Sequence, residues 1–283
     1  MTTLTPRVHD ADGSRLVAYD LGATLAEWDL DGEPVLWLSD RAVLDGSAPL
    51  RGGIPICFPW FAAGPEGDRS PSHGLVRTAT WRSAEPADEE VWAWEVGSAD
   101  VSGAERLTGP FELRYAVGLR PGREAMGREL LVALAVTNPA DAPLTVEAAL
   151  HTYLAVEDVR ATRVLGLDGV EYYDKVDGVR RVQRGPLTFT GETDRVYDSG
   201  AEAGIVVDDG SRQLHLRPAG ATQAVVWNPW AERCAEVADL ADDAWQRFVC
   251  VETAATAHRS LTVPPGGTST LSCTFAARPR STT

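Results

Sequence analysis

The stretch 129-ELLVALAVTNPADAPLTVEAALHTYLAV-156 decides the fold class. Leu130, Val132, Leu134 and Val136 alternate with Leu131, Ala133 and Ala135, so both faces of this segment are apolar and a strand here belongs in the middle of a sheet. Asn138-Pro139-Ala140-Asp141-Ala142-Pro143 is a turn signal, and 144–156 resumes as a strand, which predicts an antiparallel hairpin. On the N-terminal side, Leu113, Tyr115, Val117 and Leu119 share one face of 112–119. Further strands are expected near 15–20, 24–30, 34–38, 91–96, 204–208, 213–217, 223–227, 248–252, 259–263 and 269–276. Asp31-Gly32, Pro121-Gly122, Asp209-Gly210 and Gly266-Gly267 punctuate them. No segment keeps a 3.6-residue apolar period, and only a short helix or turn is expected at 237–246. Many short strands with few helices indicate an all-β protein, a large antiparallel sandwich. With no linker or repeat in view, residues 1–283 read as one domain with a frayed tail at 278–283.

Charge narrows the function. A formal net charge of −15 opposes binding to nucleic acid or to anionic membranes, so neither is expected as a partner. An acidic chain can still hold an anion through a few arginines placed together. The four cysteines are widely spaced and read as free buried thiols of a reducing compartment. The polar start and the lack of any run of transmembrane length predict a cytoplasmic protein. No metal or cofactor motif is present: P-loop, dinucleotide glycines, G-x-S-x-G and H-E-x-x-H are all missing from the sequence. That leaves proton transfer or simple binding.

Residues 51–61, RGGIPICFPWF, and 72–77, SHGLVR, place Arg51, His73 and Arg77 near Phe58, Trp60 and Phe61. Cations beside exposed aromatic faces suit a sugar or sugar phosphate, with an apolar ring face and a polar or anionic edge. Most of the nine tryptophans are nevertheless expected in the core. His9, His215 and His258 read as solvated or structural. His151 follows an apolar run, where a hydrogen-bonded core histidine is as compatible with the spacing as a functional one. Glu252 ends Phe248-Val249-Cys250-Val251; it is either a solvated strand-end carboxylate or a buried base with a raised pKa. Asp194, within Gly191–Tyr197, reads as a turn carboxylate or an acceptor for sugar hydroxyls. Trp227 and Asn228 combine an aromatic and an amide in a proline-bounded turn suited to sugar contact.

Taken in order, Gly22-Ala23-Thr24 to Trp28, Val35–Ser39, Arg51–Pro55, His73-Gly74 with Arg77, His151-Thr152-Tyr153, Gly191–Arg195, Val226–Pro229 and Val249–Glu252 resemble the hexose-6-phosphate mutarotase (glucose-6-phosphate 1-epimerase-like) branch of the aldose 1-epimerase superfamily. The resemblance runs nearly end to end and departs at Leu75-Val76 and in the polar loop Ala62–Ser72. It implies a β-sandwich of the galactose-mutarotase type, an isomerase needing no cofactor or metal, and a hexose phosphate as the small-molecule substrate of a monomer. It also implies His151 as general acid, Glu252 as general base across the sugar ring, and Arg51, His73, Arg77 and Asp194 around the sugar and its phosphate. A non-catalytic sugar-binding module of the same fold, or a glycoside hydrolase using Glu252 and Asp194, are the competing readings.

Overall fold

The computed structural model describes residues 3–88, 90–107, 109–122, 128–200 and 204–277. The tail expected to fray at 278–283, and the residues directly after Pro121-Gly122, lie outside this range. Two large sheets dominate, and every pairing between their strands is antiparallel. One has nine strands and is centred on Arg128–Thr137, flanked by Glu112–Pro121 and Thr268–Ala277. The other has eight: seven run from Val179–Val182 through Glu171–Asp174, Thr193–Tyr197, Gln223–Asn228 and Phe248–Ala255 to Ala148–Leu150 and Ile56–Cys57, and the eighth, Tyr153–Ala155, also pairs with Phe248–Ala255. A four-stranded sheet formed by residues 7–34 and a two-stranded pairing of Leu144–Val146 with Leu261–Val263 complete it.

The period-2 pattern explains the core. Leu130, Val132, Leu134 and Val136 are fully buried, while Leu131, Ala133 and Ala135 on the other face are half-buried. The eight-stranded sheet turns Leu150, Val226, Val249 and Val251 into the same apolar cluster. Each such side chain taken from water contributes about 1.5–3 kcal/mol, so this alternation defines which face of each sheet is free for other work. All four cysteines are buried and unpaired. Of the nine tryptophans, Trp28, Trp60, Trp81, Trp94 and Trp245 are buried.

The expected hairpin between 129–137 and 144–156 does not form. Both edges of Arg128–Thr137 are already occupied, by Glu112–Pro121 and Thr268–Ala277. The Asn138 amide instead donates to the carbonyls of Ala142, Val263 and Pro264 at 2.8, 3.0 and 3.3 Å, while its oxygen accepts from Ala140 N–H. These bonds carry the chain over to the second sheet. There 144–156 breaks into three short strands, Leu144–Val146, Ala148–Leu150 and Tyr153–Ala155. The short helix or turn expected at 237–246 is present as the 3-10 turn Ala244–Gln246, and an α-helical turn that was not expected precedes it at Trp230–Ala235.

Glu147 fixes one of these breaks. It is 5% exposed, and its carboxylate accepts hydrogen bonds from Phe61 N–H at 2.9 Å and from Ala257 N–H, tying together two loops that no sheet ladder joins. A buried carboxylate satisfied by two backbone donors cannot be replaced by an amide without turning an N–H against one of them. Glu147→Gln is therefore expected to lower the unfolding free energy by about 1–3 kcal/mol, read as a drop in denaturant midpoint at unchanged slope.

Candidate active site

Directly opposed residues of an antiparallel pair share a face, as do residues two apart on one strand. Asp194 opposes Trp227, Trp227 opposes Cys250, and Cys250 opposes Tyr153. Two residues further along, Val225 opposes Glu252, and Leu150 opposes Thr253. His151, the residue after Leu150, is thus brought level with Glu252. Asp194, Trp227, Glu252 and His151 all rise from the face that the core-directed valines leave free. They line a cavity of about 730 Å³, together with Arg51, His73, Arg77, Phe61 and Lys175.

His151 Nε2 and Glu252 Oε1 lie 3.5 Å apart, with side chains 6% and 1% exposed. This corrects the expectation of an acid and a base facing each other across a sugar ring: the two stand side by side, with no space for a ring between them. The cause is the register just described, which places them on adjacent strands. Burial is the largest influence on both. It pushes the Glu252 carboxyl well above 4.5, reinforced by Asp194 and opposed by Lys175 and Arg77. It pushes the His151 imidazole well below 6.5, reinforced by His73, Arg77 and Arg51. Both shifts favour the uncharged forms, a protonated Glu252 beside a neutral His151, so the pair holds one proton. Glu252 Oε2, His151 Nδ1 and Arg77 Nε are buried without any hydrogen-bond partner. Unsatisfied polar atoms on three residues of one cavity wall are what a polar ligand would complete.

The His151 ring is clamped, stacked on Tyr153 at 4.9 Å and meeting His73 and Trp227 edge-on at 5.3 and 6.0 Å. His73 is held in turn by its backbone. It and Gly74 both have positive φ, 65° and 85°, and a Cβ on Gly74 would sit 2.0 Å from the Phe58 oxygen. His73 Nδ1 accepts from Ala62 N–H at 3.3 Å and lies 3.3 Å from Cys57 Sγ, whose thiol burial pushes up to about 12. With Nδ1 used as an acceptor, the network assigns the proton of the neutral ring to Nε2. Burial, then Arg77, Lys175 and Arg51, keep this ring neutral by driving its pKa well below 6.5.

The cations differ in their partners. Arg51 donates through Nε to Asp239 at 3.0 Å and through Nη1 to the Tyr153 hydroxyl at 3.1 Å. Arg77 is 7% exposed and, among the described residues, is met by no carboxylate within ion-pair distance. Trp227 lines the cavity as expected. Asn228 does not: it is fully buried, and its amide donates to the Trp245 and Phe248 carbonyls while its oxygen accepts from Trp230 N–H. The opposite strand face claims it, one residue on from Trp227. Asp194 is on a strand rather than in a turn. Of the expected aromatic faces only Phe61 reaches the cavity; Phe58 packs on Phe111, and the Trp60 indole N–H is spent on the Pro71 carbonyl. Of the remaining histidines, His9 packs edge-on against Trp92 and His258 lies 3.3 Å from Asp198.

Lys175, Glu192 and Arg233 line the cavity without having been singled out in the sequence. Glu192 lies two positions before Asp194, and Lys175 two after Tyr173, which opposes Val196. Period-2 parity would have found both had Glu171–Asp174 and Thr193–Tyr197 been recognised as strands. Arg233 sits in the six-residue helix, for which no sequence signal was available. Among the described residues no cluster of three or more His, Cys, Asp or Glu could hold a metal ion, and no helix is long and apolar enough to cross a membrane.

Comparison with known proteins places the fold and the family. The aldose 1-epimerase family profile matches residues 7–276. A candidate glucose-6-phosphate 1-epimerase of Salmonella typhimurium is 32% identical over 248 residues, covering 85% of this chain and 80% of its own, and one of Escherichia coli is 30% identical over 247 residues, covering 82% and 77%. The crystal structure of a candidate mutarotase from Salmonella typhimurium superposes with a TM-score of 0.83 at 30% identity, over 98% of this chain and 94% of its own. A Synechocystis protein at 18% identity shares the fold, with a TM-score of 0.80 over 98% of both chains. A match over nearly the whole sequence, on an antiparallel sandwich, makes this chain a member of the aldose 1-epimerase family, an isomerase acting on a sugar.

Proposed function

We propose that the protein interconverts the α and β anomers of an aldohexose 6-phosphate, glucose 6-phosphate being the first substrate to test. The observation that carries this reading is the side-by-side pair: the two oxygens of a hemiacetal sit on one carbon, and a donor and an acceptor 3.5 Å apart can serve both at once. The pair enters the reaction holding one proton; burial favours it on Glu252 in the sugar-free site, and the forward step uses the form in which it has passed across the 3.5 Å gap to His151. Glu252 takes the proton of the anomeric hydroxyl while His151 protonates the ring oxygen, and the C1–O5 bond breaks to give the open aldehyde. After rotation about C1–C2, His151 recovers the proton from O5 as that oxygen attacks the other carbonyl face. Glu252 then returns its proton to the new anomeric hydroxyl. No group is consumed. Steps of this kind contribute on the order of 10²–10⁴-fold each, and apo distances tighten on binding.

In this reading His73 Nε2–H and Asp194 hold sugar hydroxyls, Trp227 flanks the ring, and Arg51 and Arg77 receive the phosphate as charge-assisted donors. Arg77 is the stronger candidate because nothing else among the described side chains neutralises it. Residues 1–283 act together as one domain, as a cytoplasmic monomer with neither nucleic acid nor membrane as partner, in keeping with the net charge of −15.

Anomer exchange measured by NMR should be accelerated by the protein, and His151→Ala or Glu252→Gln should each reduce the acceleration by at least about 10²-fold. Retained binding with no acceleration in the parent protein would favour a non-catalytic module, and release of reducing sugar from a glycoside a hydrolase. Arg77→Met should raise KM for glucose 6-phosphate by roughly tenfold or more while leaving glucose little changed; equal losses on both sugars would remove the phosphate from Arg77.

Two pH dependences follow. The rate is expected to be bell-shaped in pH, because a second proton on the pair silences the base and loss of the last one silences the acid. For stability, the folded Glu252 keeps a proton that the unfolded chain gives up, so its contribution is intact below about 4.5 and is lost as pH rises. Glu252→Gln should therefore melt higher than the parent at pH 7, with the gap closing as pH falls towards 4.5; a lower melting point at pH 7 would contradict the direction.

A further inference from the structure

Glu252 faces a problem that its own strand does not solve. A general base must release its proton near neutral pH, yet burial and the neighbouring Asp194 both oppose this. Asp194 rises from the same sheet face, with only the strand Gln223–Asn228 between it and Phe248–Ala255. The other titratable or charged groups around the cleft are His151 after Ala148–Leu150, Tyr153 stacked on it, Arg51, Cys250 on the strand of Glu252, Cys57 on Ile56–Cys57, His73, Arg77 in the 3-10 turn Val76–Thr78, and Glu192 and Arg233 on the cavity wall. None of these touches Asp194 in the hydrogen bonds and ion pairs of the structure. Lys175 does. Its Nζ lies 2.9 Å from Asp194 Oδ2, and its backbone N–H donates to the Asp194 carbonyl at 2.7 Å. Its ammonium also lies 5.5 Å from the centre of the Phe61 ring, on the cavity wall. The lysine is therefore held to Asp194 at both its backbone and its ammonium.

We propose that Lys175 is a positioning residue for the acid–base chemistry: by pairing with Asp194 it cancels that carboxylate's charge beside Glu252, so that Asp194 can bind the sugar as an ionised acceptor without forcing the base to stay protonated. This rests on the anomer-exchange reading and adds to it a residue that carries no proton in the reaction. The direction of influence agrees, since Lys175 favours ionisation of Glu252 where Asp194 opposes it.

The test is the pH dependence of kcat/KM for anomer exchange. Lys175→Met should move the acid limb to higher pH by about one unit, with a loss of roughly tenfold in rate at the original limb and little loss at the alkaline side. Lys175→Arg keeps the charge and should leave the limb in place. The double variant Lys175→Met/Asp194→Asn should bring the limb back towards that of the parent, because the charge being cancelled is gone; a merely structural role for the lysine would not produce that return. An unmoved limb in Lys175→Met, or a rise in KM alone, would overturn the proposal. The protonation of Glu252, followed by carbon NMR of labelled glutamate in the sugar-free protein, gives the same comparison without turnover. If the parent catalyses no exchange, the functional reading fails, while this titration still decides whether Lys175 governs the carboxyl.

Discussion

The register between Ala148–Leu150 and Phe248–Ala255 is the constraint on which the site depends. Leu150 opposite Thr253 sends both of those side chains to one face and brings His151 level with Glu252 on the other. A slip of one residue would turn Glu252 into the core and Val251 into the cleft, so the packing of Val249 and Val251 against the second sheet and the placement of the carboxylate are a single choice. Core burial here selects the register, and the register makes the pair.

The same burial creates the chemistry. Strand packing buries the floor of the cleft, which raises the proton affinity of the Glu252 carboxyl and lowers that of the His151 imidazole. Polar atoms on Glu252, His151 and Arg77 stay unsatisfied, a standing cost of about 1–3 kcal/mol each that a bound sugar phosphate would relieve. The surrounding cations are graded rather than equivalent: Arg51 is engaged by Asp239, Lys175 by Asp194, and Arg77 by no carboxylate within reach. That gradation leaves Arg77, of these three, as the cation whose charge an incoming anion could meet.

Much of this was legible in the sequence, for physical reasons that also mark its limits. Alternation over Leu130–Val136 and the apolar run Phe248–Val251 located a strand in each large sheet, but left open whether Glu252 is solvated or buried, which the packing of neighbouring strands decides. The hairpin at Asn138–Pro143 misled because a turn signal says that the chain reverses, not which strand it then meets; strand occupancy, a long-range property, decided that. Asn228 misled because adjacent strand residues point to opposite faces, so its neighbour Trp227 alone enters the cleft. Lys175 and Glu192 escaped notice because Glu171–Asp174 and Thr193–Tyr197 are short, polar strands whose alternation is weak until their partners are known. Distances between side chains on separate strands, and with them the side-by-side geometry of His151 and Glu252, are not encoded in any local pattern.

A crystal structure of the Glu252→Gln variant with glucose 6-phosphate tests the central claim most directly. The expected result is a pyranose presenting the anomeric oxygen to residue 252 and the ring oxygen to the His151 imidazole, both from the same carbon, with the phosphate on Arg77. A sugar lodged with C1 turned away from the pair, or with the pair prised apart on either side of the ring, would contradict it.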